Sequence, residues 1–175
     1  MEFDYVVVGA GSAGCAVASR LSQCGNYRVA LVEAGPPDNN PWIHVPVGYF
    51  STMGNPKSDW RYETQPDTGI AGRSIPWPRG RVMGGSSSIN GLLYVRGQPQ
   101  DFDIWSQLGC MGWSWDEVLP YFKRSENWDG IDETGLRGKE GPISVQSSRL
   151  KRDIVDNWVD AAIAAGYQRN YDYNG

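Results

Sequence analysis

Histidine is nearly absent: the 175 residues contain one, His44. A metal site built on several imidazoles is therefore excluded. His44 lies in Pro41-Trp42-Ile43-His44-Val45-Pro46, and no serine sits in a nucleophile elbow that would use it. A structural or solvated loop histidine is the expectation. Cysteine is scarce too. Cys15, Cys24 and Cys110 show no C-x-x-C spacing, which suggests reduced thiols and a cytoplasmic setting. Cys15 falls in the expected first helix and reads as a small buried apolar residue. No apolar run is long enough to cross a membrane, and the chain enters a strand so early that no signal peptide is expected. Excess basic charge is missing as well. The net charge is -4, which argues against nucleic acid as a partner. The densest basic stretch, Arg79-Gly80-Arg81, reads as a local anion contact.

Glycine and aromatics are plentiful, with 22 Gly, eight Trp and nine Tyr. That is the composition of an ordered, loop-rich protein. The length suits one ordinary domain with a core of its own.

Residues 3–8 read as a buried parallel strand, β-branched and followed at once by glycine. Residues 12–23 read as a helix with Ala13, Ala16, Val17 and Leu21 near one face, ended by Gly25-Asn26. Residues 29–33 form the next strand. Strand, helix and strand within about thirty residues make a βαβ unit. Residues 35–78 differ, because eight of the eleven prolines lie there, with Trp42, Tyr49, Phe50, Trp60, Tyr62 and Trp77 among them. A structureless loop of that length is foreign to a compact domain. Two readings stand: a covering excursion that helps enclose a ligand, or an insertion packed only on its own domain.

Further on, residues 99–108 read as a short helix with Pro99 in its first turn. Ser114 and Glu117 form a capping box that opens a helix to about Ser125, which Pro120 should kink or delay. Residues 127–141 read as a polar loop and 142–146 as a strand. Residues 151–165 form an amphipathic helix with Ile154, Val155, Trp158, Val159, Ala162 and Ile163 on one face, stopped by Gly166.

The first chemical signal is Gly9-Ala10-Gly11-Ser12-Ala13-Gly14. Gly9 permits the turn out of the strand, Gly11 a close approach to a pyrophosphate, and Gly14 close helix packing. The N–H groups of Ser12 and Ala13 and the helix dipole favour phosphate charge. Glu33 follows Gly14 by nineteen residues, where an acid accepts the ribose hydroxyls and repels a 2′-phosphate. A purely structural Gly-rich turn leaves Glu33 without a role. The motif alone does not separate NAD from FAD.

The second signal is Gly80-Arg81-Val82-Met83-Gly84-Gly85-Ser86-Ser87-Ser88-Ile89-Asn90, continued by Gly91-Leu92-Leu93-Tyr94-Val95-Arg96-Gly97. It resembles the N-terminal signature of the glucose–methanol–choline (GMC) oxidoreductases nearly position for position. Asp4-Tyr5-Val6-Val7-Val8, Glu33-Ala34-Gly35, Asp59-Trp60 and the run Tyr121 to Glu126 are also similar to that family. Met83, where the family more often has Leu, is a volume-conserving departure.

The resemblance implies an α/β fold: a Rossmann-like FAD-binding fold of GMC type, incomplete, with the start of a substrate-binding domain. Residues 1–146 would be the FAD-binding part, with the excursion 35–78 over it. Residues 147–175 would begin the substrate domain or a connecting helix. By the same resemblance Gly9, Gly11, Ser12, Ala13 and Gly14 would hold the FAD pyrophosphate, and Glu33, followed by Ala34, the ribose. Arg81, Gly84, Gly85 and Ser86 would lie along the pyrophosphate and ribityl chain. Asn90, Gly91 and Leu92 would sit beside the isoalloxazine ring. For Ser87 and Ser88 a cofactor role and a turn role stand level. Ile89 occupies the place where some members bind FAD covalently through histidine, so dissociable FAD is expected.

The family oxidises an alcohol to a carbonyl, with a histidine base and hydride transfer to flavin N5. Its partners would be a small alcohol of choline, aryl-alcohol or pyridoxine type and an electron acceptor, oxygen or another. The histidine centre belongs to the C-terminal part of such enzymes and is expected to be missing here, with apolar surface left uncovered. Two further readings are a truncated flavin- or nucleotide-binding module without catalysis and an NAD-binding dehydrogenase domain. The latter gives the second glycine segment no use.

Overall fold

The computed structural model describes residues 2–149 and 151–174. They divide into two compact units, with the boundary between Leu93 and Tyr94.

The first unit opens with β1 (Tyr5–Val8), α1 (Ser12–Gln23) and β2 (Val29–Val32). β1 and β2 pair in parallel with Tyr5 opposite Val29 and Val8 opposite Val32, which is the βαβ crossover the sequence predicts. Two details differ. β2 stops at Val32, because both Glu33 oxygens are occupied by backbone N–H groups of the turns beside it. The α1 residues that turn inward are Gly14, Cys15, Ala18 and Leu21, while Ala13, Ala16 and Val17 are exposed. Cys15 is only partly buried, and its thiol donates to the Ala10 carbonyl at 3.3 Å.

The expected burial of β1 does not hold. Val6 is 59 % and Val8 83 % exposed. A parallel strand is buried when helices cover both faces, and among the described residues β1 has one paired strand and one helix. The buried apolar residues of this unit are Ala10, Ala18, Val82 and Ile89. Two of them, Val82 and Ile89, lie within the second glycine segment on either side of Gly84-Gly85 and anchor it.

The proline-rich excursion is a succession of short turns. A 3-10 turn at Pro41–Ile43 is capped by Asn40, whose Oδ1 accepts from Trp42 N. His44 closes that turn, with Nε2 2.7 Å from the Asp38 carbonyl. After a second turn comes α2 (Tyr49–Thr52), then an antiparallel pair of β3 (Tyr62–Glu63) and β4 (Pro76–Trp77). A 3-10 turn at Gly85–Ser88 completes the unit's regular structure.

The second unit contains α3 (Pro99–Gln107), α4 (Trp115–Ser125), β5 (Glu126–Trp128), β6 (Ile143–Val145) and α5 (Asp153–Ala164). Ser114 and Glu117 form the predicted capping box on α4. Pro120 neither delays the start nor breaks the helix; its missing N–H forfeits one internal bond. Residues 126–128, the first of which lies just ahead of the expected loop, form a strand parallel to β6. α3 and α4 pack through Phe102, Trp105, Trp115 and Phe122, with ring centroids 5.4–6.1 Å apart. α5 begins at Asp153, and the apolar face the sequence gives it is open: Ile154 and Trp158 are 74 % and 73 % exposed.

Beneath α4 lies a buried charge network. Glu126 is fully buried and its Oε2 accepts from Arg96 Nη2 at 2.5 Å and from Gly138 N at 2.9 Å. Glu126 Oε1 pairs with Arg137 Nη2 at 2.7 Å, out of line for a hydrogen bond. Arg137 also reaches Asp172 at 2.9 Å and lies over the Trp128 ring. Arg96 belongs to the second glycine signature, so that part of the motif organises structure.

Candidate functional site

The chain leaves β1 through Gly9 at φ +95. A Cβ on Gly14 would stand 1.8 Å from the Gly9 carbonyl oxygen, so α1 can start this close to β1 only if residue 14 has no side chain. Gly11 is the N-cap of α1 and offers no capping side chain. The amides of Ser12, Ala13 and Gly14 therefore open the helix without a side-chain cap, the arrangement that suits an anion.

The second glycine segment docks directly on this turn. Gly84 N donates to Ala10 O at 2.8 Å, and Met83 N to Pro36 O at 2.9 Å. A Cβ on Gly85, which has φ +60, would come within 2.8 Å of Gly11 Cα. Glu33 completes the joint. Its Oε2 accepts from Ala10 N at 2.8 Å and its Oε1 from Gly35 N at 2.9 Å. The carboxylate is thereby oriented, and each oxygen keeps a lone pair for a further donor.

These segments border a cleft of about 530 Å³. Val8, Gly9 and Gly11 line it from one side, Val32, Glu33 and Ala34 from another. Trp60, Tyr62, Arg79, Gly80, Gly85 and Ser86 close it. A Cβ on Gly9 or Gly11 would meet no protein atom within 4 Å. The space beside both glycines is free for a ligand, which is what a dinucleotide cradle requires.

Of the residues expected at the cofactor, Gly9, Gly11, Glu33, Ala34, Gly85 and Ser86 line this cleft. Ser12, Ala13 and Gly14 form the first turn of α1, and Gly84 ties the two glycine segments together. Arg81 is directed elsewhere: Nη2 donates to Pro56 O at 2.8 Å and its guanidinium lies over Trp60. Asn90, Gly91 and Leu92 form an exposed turn apart from the cleft lining, in which Asn90 Oδ1 accepts from Leu92 N. Ser87 and Ser88 donate to the Gly84 and Met83 carbonyls, which is the turn role. Trp60 and Tyr62 join the cleft from the excursion, and Arg79 from just beyond its end. Their aromatic content was the available signal, and the rings of Trp60 and Tyr62 stack 6.0 Å apart. His44 is not part of the lining. No group of His, Cys, Asp and Glu able to hold a metal occurs among the described residues.

The GMC oxidoreductase pattern matches residues 3–175. The chain belongs to the GMC oxidoreductase family. The oxygen-dependent choline dehydrogenase of Brucella anthropi is 46 % identical over 175 residues, which are 100 % of this chain and 32 % of that protein. The crystal structure of pyridoxine 4-oxidase from Mesorbium loti superposes with a TM-score of 0.90 at 36 % identity, over 99 % of this chain and 34 % of that one. An FAD-dependent oxidoreductase from Chaetomium thermophilum gives 0.79 at 27 % identity, over 94 % and 30 %. The chain thus spans about a third of the length of these relatives, and its α/β architecture is that of the GMC flavoenzymes. No helix among the described residues is long and apolar enough to cross a membrane.

Two aspartates of this GMC chain are held below their ordinary value of 3.8. At Asp59 burial opposes the charge, but N–H donors from Arg61, Gly54 and Arg79 and the Arg61 charge outweigh it. At Asp132 burial is again outweighed, by the amides of Arg137, Gly135, Thr134 and Leu136. A carboxyl depressed in the folded state contributes stability that is full above its unfolded pKa. That contribution is lost as pH falls through the folded pKa. Urea midpoints should therefore hold from about pH 7 down to about pH 4 with respect to these groups and drop below it. A midpoint unchanged between about pH 4 and pH 2.5 would contradict this.

Proposed function

We propose that the chain is the FAD-binding part of an enzyme that oxidises an alcohol CH–OH group to a carbonyl. The observation that carries the reading is the convergence of both glycine segments and Glu33 on one cleft, with open space beside Gly9 and Gly11. The relatives' names support it: choline and pyridoxine are alcohols, and one neighbour is FAD-dependent.

In this reading the amides at Gly11, Ser12, Ala13 and Gly14 bind the pyrophosphate at the uncapped start of α1. Glu33 beside Ala34 takes the ribose hydroxyls. Gly84, Gly85 and Ser86 let the chain run close along the cofactor, whereas Arg81, bonded to the Pro56 carbonyl and lying over Trp60, braces the wall of the cleft instead. Asn90, Gly91 and Leu92 reach the flavin end. Bound FAD supplies the hydride acceptor. The cofactor is dissociable, since Ile89 is apolar and buried and offers no atom for a covalent bond. Residues 1–146 serve the cofactor and residues 147–175 begin the substrate part. The substrate is a small alcohol of choline, aryl-alcohol or pyridoxine type, the acceptor oxygen or another oxidant, and the setting cytoplasmic. His44, exposed and bonded to the Asp38 backbone, supplies no proton acceptor at the cleft, so these 175 residues alone do not turn over substrate.

The test is the visible spectrum of the purified chain, with added FAD, before and after denaturation. Flavin bands released on denaturation support the reading; a folded chain that takes no FAD sinks it. Glu33→Ala should weaken FAD binding by about 1.5–3 kcal/mol, the range for hydrogen bonds to a charged group. Titration with FAD checks this, and an unchanged affinity would remove Glu33 from the ribose site.

A further inference from the structure

Asp59 is 2 % exposed, belongs to neither glycine segment, and is absent from the cleft lining. Its neighbours are in that lining. Trp60 follows it directly, and Arg79 and Gly80 lie opposite it across an antiparallel bridge between Asp59 and Gly80. The bridge is flanked by two backbone bonds, Trp60 N to Arg79 O at 2.9 Å and Arg81 N to Ser58 O at 2.8 Å.

The carboxylate closes this joint from inside. Oδ1 accepts from Arg61 N at 2.8 Å and from Arg79 N at 3.0 Å, and Oδ2 from Gly54 N at 2.7 Å. Arg61 sits at φ +54, a backbone conformation a long side chain rarely adopts. The bond from its N–H to Asp59 holds it there. One buried group thus fixes both the bend that separates Trp60 from Tyr62 and the edge that carries Arg79 and Gly80.

We propose that Asp59 is a positioning residue for the cofactor: its carboxylate clips the excursion to the second glycine segment and so holds Trp60, Arg79 and Gly80 as a wall of the cleft. This rests on the reading of the cleft as the FAD site. Three N–H donors converge on the two oxygens, so the side chain must be acceptor-only. Asparagine, of the same shape, would turn an NH₂ toward at least one of the N–H groups.

The test compares Asp59→Asn with Thr52→Ala in the same chain. Thr52 is fully buried in the same excursion, away from the cleft lining, and its truncation lowers stability without touching the clip. Affinity for FAD and for ADP, thermal midpoint and amide hydrogen exchange are measured on wild type and both variants. Asp59→Asn is expected to weaken FAD and ADP by about tenfold or more, the range for loss of a charge-assisted bond. It should also speed exchange at Gly54, Arg61 and Arg79. Thr52→Ala is expected to lower the midpoint and leave both affinities within about twofold, an unchanged-contact outcome. Asp59→Asn binding both ligands as wild type does would overturn the clip. So would weakening by both variants in proportion to their loss of stability, which is the behaviour of a merely structural residue. A folded wild type that takes neither FAD nor ADP overturns the reading of the cleft itself, and the clip with it.

Discussion

Glu126→Ala is expected to unfold the second unit or to cost it about 3–5 kcal/mol, the range for removing one partner of a buried ion pair. The reason is arithmetic of charge. Arg96 and Arg137 both have side chains 2 % exposed, and both guanidinium groups spend an Nη2 on Glu126. Alanine leaves two buried cations without their shared carboxylate, keeping Asp172, the Leu136 carbonyl and the faces of Trp128, Tyr94 and Phe122 as weaker compensation. Gly138 N also loses its acceptor. Glu126→Gln should cost less, since it keeps the shape and one acceptor but not the charge. Urea unfolding followed by far-ultraviolet circular dichroism reads the difference. A loss below about 1 kcal/mol would mean that water reaches the arginines when Glu126 is removed.

Gly14→Ala is expected to abolish FAD binding. Its Cβ would stand 1.8 Å from Gly9 O and 3.1 Å from Gly9 C, both backbone atoms with nowhere to turn. Relief requires α1 to back away from β1. That moves Gly11, which Gly85 touches from the other side, and Ala10, whose carbonyl receives Gly84 N. One methyl group therefore disturbs the whole joint between the two glycine segments. Overpacking of this kind costs about 1–3 kcal/mol or more. Titration with FAD and the thermal midpoint of the apo chain check it. Retained affinity would show that the cradle tolerates a displaced α1.

The βαβ start, the α1 bounds, the capping box on α4 and the family were legible in the sequence because each rests on a local pattern. Spacing singled out Gly9 to Gly14 and Glu33, and resemblance to the family signature singled out the Gly80–Gly91 run. What spacing does not carry is long-range pairing. Glu126 looks like an ordinary helix-end acid, and nothing near it shows that Arg96 and Arg137 will meet it in a buried site. The strand at Glu126–Trp128 was hidden for the same reason, since its partner Ile143–Val145 defines it. Asp59 was visible as part of a family motif, but its three backbone partners lie in separate turns. The exposure of β1 was not legible: a β-branched run reads as buried, and the covering it lacks here is not written in the run itself.

The joint between Ala10 and Gly84 also says something about time. Its two sides are more than seventy residues apart in the chain, whereas β1, α1 and β2 are neighbours. Contacts across long loops form late, because closure entropy must be met before they contribute. The βαβ start should therefore be native before the cradle exists. A dinucleotide added during refolding has little to recognise at first, and should act on the last step and on the rate of unfolding.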